Sequence, residues 1–109
     1  MTEIKKHHRI MISPKKYWKE FNYHDAILYC SLLKIVDYDD WKIPDADEMN
    51  IVSSYYFQKK ESLGLAKCWL DDKMVWNPGG IVSSITNDSV LETKLLIRPI
   101  RKVLNNNEN

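Results

Sequence analysis

From Tyr23 onward, apolar residues recur at Ala26, Ile27, Cys30 and Leu33, the spacing of one helix face. Leu28, Leu32 and Ile35 widen that stripe, so the pattern predicts a deeply buried helix ending near Val36. Asn22 stands where an N-cap belongs, and Asp25 follows near the positive end of the helix. A second helical pattern, Met49, Val52, Ser53 and Tyr56, follows Asp45 and should end near Phe57. Asp45 and Glu48 have the spacing of a capping box. Between the two patterns, the acidic turn Asp37-Tyr38-Asp39-Asp40 leads into Trp41-Lys42-Ile43. Pro44 disfavours helix for the residue before it and so predicts a short extended segment there.

The remaining patterns are strand-like. Residues 9–13 form a candidate strand stopped by Pro14. Residues 17–21 alternate weakly and read as a strand or a turn. Residues 58–65 form a polar loop with Gly64 as its turn residue. Residues 66–70 and 73–76 are candidate strands joined by Asp71-Asp72, a hairpin turn without glycine. Asn77-Pro78-Gly79-Gly80 breaks the pattern, and a loop of roughly fifteen residues is expected after it, long enough to be functional or mobile. Residues 95–103 should close the domain as a strand, with Pro99 at an edge or bulge. The expected organisation is a flexible basic arm over residues 1–8, one domain over 9–104 and a disordered polar tail over 105–109.

Three blocks, in order, resemble the Lcl C-terminal-like family, a module found in bacterial collagen-like adhesins and phage proteins. Tyr23-x-x-Ala26-x-x-x-Cys30 stands where the family has Trp-x-x-Ala-x-x-x-Cys. Asp40-Trp41-Lys42-Ile43-Pro44-x-x-x-Glu48-Met49 stands for Asp-Trp-Arg-Leu-Pro-x-x-x-Glu-Leu. Cys68-Trp69 lies near the place of an aromatic Tyr-Trp-Ser-Ser strand, and Ile97-Arg98-Pro99-Ile100-Arg101 near that of the closing Val-Arg-x-Val-Arg. The serines after Trp69 are replaced by Leu70-Asp71-Asp72. The resemblance implies an α+β, C-type-lectin-like fold, with two helices packed on a small, twisted, mainly antiparallel sheet. Trp41 and Trp69 would then be core. Pro44, Glu48 and Arg98 are taken as structural too, with Arg98 expected against the acidic 39–48 segment. The resemblance also implies a phage-type binding or structural module rather than an enzyme.

Composition narrows the function classes. A chain of 109 residues can bury a single core. Lys and Arg number 16 against 15 Asp and Glu, a net charge of +1, which disfavours a dedicated nucleic-acid binder. Basic residues do gather at both ends, at Lys5, Lys6, Arg9, Lys15, Lys16 and Lys19 and again at Lys94, Arg98, Arg101 and Lys102. They read as a solvated arm and helix-end charges, or as a basic surface where the termini meet. No membrane span and no signal-peptide pattern is visible, so the expected location is the host cytoplasm or an assembled virion. Cys30 and Cys68 read as free thiols, because a reducing compartment is the expectation and two separated cysteines make no metal or redox motif.

No cofactor or metal is expected. Trp76-Asn77-Pro78 is similar to the Trp-Asn-Asp strand of calcium-dependent lectins but lacks its carboxylate, and a calcium ion needs several oxygen ligands. Gly79-Gly80 lacks the lysine and helix start of a phosphate loop. The candidate binding residues are Asp71, Asp72, Trp76 and Asn77, on a surface spanning residues 71–93. Carboxylates beside a stacking ring suit a sugar or a peptide, although core is the better reading of Trp76. The partner is expected to be a protein or a glycan. An intracellular accessory protein that inhibits a host protein is the alternative, and nucleic-acid binding a further one; an oligomer stays open.

Overall fold

Residues 95–103, expected as one closing strand, form two. Leu95–Ile97 ends at Arg98-Pro99, and Ile100–Lys102 begins after them in a different sheet. Proline has no N–H to give a ladder, so a sheet change is a natural place for it. The computed structural model describes residues 5–7, 9–85 and 90–103. Its elements run β1 (Lys5–His7), β2 (Ile10–Ile12), β3 (Lys19–Phe21), α1 (Tyr23–Leu32), α2 (Ala46–Gln58), β4 (Cys68–Trp69), β5 (Val75–Asn77), β6 (Ile81–Ser83), β7 (Leu95–Ile97) and β8 (Ile100–Lys102). A single 3-10 turn, Lys15–Tyr17, separates β2 from β3. Within the expected N-terminal arm, β1 pairs with β2; the expected C-terminal tail lies outside the described residues.

The fold is α+β. One sheet has the order β1-β2-β8 and is antiparallel; the other has the order β3-β7-β4-β5-β6, with β4 and β7 parallel and the rest antiparallel. The 41–43 segment joins the first sheet through Lys42, whose N–H donates to Ile100 O at 2.7 Å and whose carbonyl accepts from Ile100 N at 3.0 Å. Ser13 holds the Arg98-Pro99 break from the other side, its N–H and Oγ donating to Pro99 O at 3.1 and 2.6 Å.

Each helix covers its own apolar cluster. Met49, Val52 and Tyr56 of α2 pack with Ile10, Ile12, Ile100, Cys68, Leu70 and Trp76. Tyr23, Ala26 and Cys30 of α1 pack with Ile43, Trp69, Val75, Val90 and Ile97. The α2 capping box is complete: Glu48 N donates to Asp45 Oδ1 at 2.7 Å, and Asp45 N donates to Glu48 Oε1 at 2.9 Å. Asn22 caps α1 by accepting from Asp25 N at 2.8 Å.

Three expectations need correction. The first helix stops at Leu32, a turn early, and Ile35 and Tyr38 instead bridge across a turn that holds Val36 at φ +59°. A β-branched residue rarely adopts that conformation. The wide apolar stripe of α1 is only partly buried: Ala26 and Cys30 pack inward, while Ile27, Leu28 and Leu32 are 46, 56 and 75% exposed. The stretch after Asn77 is not simply a long loop, because β5 turns through Pro78-Gly79-Gly80 into β6, pairing Asn77 with Ile81. Gly79 and Gly80 carry φ of +96° and +92° there, which suits residues without a Cβ. Residues 86–89 of that stretch lie outside the described residues.

Arg98 supplies the third correction. It is fully buried, but it does not meet the acidic 39–48 segment. Its Nη2 reaches Leu63 O and Ala66 O at 3.4 Å, and its guanidinium lies 5.1 Å from the Trp18 ring centroid. The acidic segment is engaged elsewhere. Glu48 pairs with Lys42 at 2.9 Å, and Asp40 accepts two bonds from Arg101.

Candidate cleft beside the first helix

Trp41, Pro44, Glu48 and Trp69 are buried, and Trp41 lines a cleft of about 360 Å³. One wall is α1, which contributes Tyr23, Ile27, Cys30 and Ser31. The extended 41–43 segment forms the second wall, with Trp41, Lys42 and Ile43, and Asp71 from the β4–β5 turn closes the third side. The volume falls near the lower end of the range of about 300–1,000 Å³ usual for ligand pockets.

Each wall is fixed by its own bonds. The Trp41 indole N–H donates to Tyr38 O at 3.0 Å. Lys42 is tied to Ile100 through its backbone and to Glu48 through its ammonium. Asp71 N donates to Pro44 O at 3.0 Å, and the Tyr23 hydroxyl donates to Asp71 O. The β4–β5 turn closes without glycine because Lys73 takes a positive φ of 69° and its N–H reaches Leu70 O at 3.2 Å. Asp72 Oδ1 accepts from Met74 N at 3.2 Å, a short side-chain turn that Asp forms readily.

The electrostatics of the cleft are acidic. Loss of surrounding water pushes the Asp71 carboxyl above its ordinary range; Lys42 opposes that, while Asp45, Asp72 and Glu48 add to it. Tyr23 is raised by burial and then by Asp71 and Asp72. Burial pushes the Cys30 thiol up to about 12, so it stays a neutral apolar lining group rather than a nucleophile. Cys68, a free thiol on the other cluster, is also raised by burial, with the Arg98 guanidinium pulling the opposite way.

The four candidate binding residues do not converge. Asp71 and Asp72 are exposed, and Asp71 lines the cleft. Trp76 is 1% exposed and donates its indole N–H to Asn50 Oδ1 at 3.1 Å, so it is a core residue and no stacking platform. Asn77 braces the β5–β6 hairpin, its Nδ2 donating to Ile81 O at 2.9 Å and Ser83 Oγ at 3.0 Å. Ile27, Ser31 and Lys42 were not anticipated as cleft residues. The signal for Ile27 lay in the α1 stripe itself, whose arc is wider than one packing face can cover.

Among the described residues, no group of three or more His, Cys, Asp or Glu could hold a metal ion. β1 and β8 do flank β2, which brings the backbones of Lys5, Lys6, Arg101 and Lys102 into one sheet. Arg101 is nonetheless committed to Asp40, with Nη2–Oδ2 at 3.0 Å, and stacks 4.0 Å from the Tyr38 ring centroid. No described helix is long and apolar enough to cross a membrane. No family model matches the chain, and no curated protein or solved structure matches it either.

Proposed function

We propose that this chain is a non-enzymatic binding module of the phage type, with a C-type-lectin-like fold similar to the Lcl C-terminal-like family. Its partner is a protein, and the contact is the face made by α1 and the cleft beside it. The observation that carries this reading is Ile27, exposed in the wall of the cleft that Asp71 closes, with Leu28 and Leu32 exposed further round the same helix. Several large apolar side chains exposed on one short helix, rather than one alone, are what a protein contact uses. A glycan contact is less well supported, because the aromatic ring that would stack on a sugar, Trp76, is inside the core. Two helices on small, mainly antiparallel sheets are compatible with the finer fold named here.

The test is affinity capture from the native source with the wild-type chain and two surface variants. Leu28→Asp with Leu32→Asp should abolish capture while leaving the circular dichroism and melting curve unchanged. Ile81→Asp with Val82→Asp, on the far hairpin, should leave capture intact. Capture lost only in the hairpin variant would overturn the reading.

A further inference from the structure

The cleft beside α1 has a chemical bias that the apolar stripe alone does not explain. Asp71 stands among Asp72, Asp45 and Glu48, with Lys42 as the cation acting on it. Lys42 is already neutralised, its ammonium held 2.9 Å from Glu48 Oε1. Asp45 spends one oxygen on the α2 cap. Among the described residues, neither Asp71 nor Asp72 has a salt bridge within 4 Å, so neither carboxylate is committed to an ion pair. Tyr23, Trp41 and the exposed Ile27 line the same cleft, and Leu28 and Leu32 are exposed further round α1.

Lys73, from the same turn as Asp71, indicates what this rim attracts. Its ammonium lies 5.9 Å from the Tyr23 ring centroid, within the reach of a cation–π contact. Lys73 is exposed and unbound by any salt bridge among the described residues, so an incoming cation can displace it.

Resting on the protein-binding reading above, we propose that the cleft takes a partner segment that presents a lysine or arginine beside an apolar side chain. The cation enters between Asp71, Asp72 and the Tyr23 ring. The apolar neighbour lies against Ile27, and the rest of the partner covers Leu28 and Leu32. Complementary charge of this kind sets partner choice and on-rate, while the apolar contact supplies the buried area.

The experiment uses the full chain, isotope-labelled, against a defined peptide array. The peptides are acetylated and amidated nonamers with Arg or Lys next to Leu, Ile or Phe at the centre. Matched controls replace the cation by norleucine or glutamate. Cationic members should bind and shift the backbone amide signals of Ile27, Ser31 and Asp71. Norleucine controls and the Asp71→Asn variant should each bind roughly tenfold more weakly, and binding should fall as salt rises. The Asp71→Asn spectrum away from the cleft should match the wild type, which separates lost binding from lost fold. Equal binding of norleucine peptides would overturn the cation pocket while leaving the protein-binding reading intact. So would an array with no binder, provided the Leu28/Leu32 variant still loses native capture. Concentration-dependent self-association blocked by Leu28→Asp with Leu32→Asp would overturn it in favour of a second copy of this chain. Loss of neither native capture nor peptide binding in that variant would sink both proposals.

Discussion

Replacing Arg98 by methionine and by alanine separates two reasons for burying a guanidinium. Arg98 is fully buried, and its Nε and Nη1 have no hydrogen-bond partner among the described residues. Its compensation is two long bonds to carbonyls at 3.4 Å and the face of Trp18. A charged group taken from water costs several kcal/mol, and without a carboxylate partner little of that is recovered. Long carbonyl bonds and a cation–π contact together return about 2–4 kcal/mol. Arg98→Met keeps the length of the stem and removes the charge. It should therefore match or exceed the wild type in stability. Arg98→Ala removes the charge as well but leaves a hole, and should lie about 2–5 kcal/mol below the methionine variant. At roughly 4–8 °C per kcal/mol for a domain of this size, the two melting temperatures should differ by roughly 8–40 °C. Thermal unfolding followed by far-ultraviolet circular dichroism reads this directly. If the methionine variant falls as far as the alanine variant, the charge itself holds the fold, and Arg98 has an anionic partner that this account lacks.

Three further outcomes follow from the same structure. Trp41 is 4% exposed, and Trp41→Ala should cost about 3–5 kcal/mol, measured by denaturant unfolding; a stable, cooperative variant would move Trp41 from packing to surface. Arg101 hydrogen-bonds Asp40 and holds its carboxyl below the ordinary range, so the pair adds stability above the unfolded carboxylate pKa and loses it as pH falls through the folded one. Because the Asp40 side chain is 57% exposed, Asp40→Asn should cost no more than about 1 kcal/mol at neutral pH and less in acid, and an equal loss at both would refute the pairing. Cys30 and Cys68 are buried thiols with raised pKa values, so neither should react with a thiol reagent at pH 8 until the chain is unfolded; fast labelling of the native chain would contradict the packing.

Local signals carried the helices well and the sheets poorly. Asn22, Asp45 and Glu48 set both helix starts through bonds within four residues of chain, so the sequence pattern located them. The end of α1 depends on the Ile35–Tyr38 bridge, a tertiary choice that overrode an apolar periodicity extending further. Pro99 signalled an interruption, but not that the chain changes sheets there, because that depends on Ser13 and Lys42 from distant segments. Asp71 was legible as a turn carboxylate. The cleft around it was not, since its walls come from three segments whose meeting is set by core packing. Exposure of Ile27, Leu28 and Leu32 was likewise hidden, because an apolar residue reads the same whether it faces a core or a partner.

The claim most at stake is that α1 faces the partner. A photoreactive benzoylphenylalanine placed at Leu28, and in a separate variant at Val82, tests it in the native source. Both positions are exposed, at 56 and 40%, so either can report a neighbour without disturbing the core. A discrete covalent protein adduct is expected from position 28 and none from position 82. An adduct formed only at position 82 would place the partner on the β5–β6 hairpin and contradict that claim.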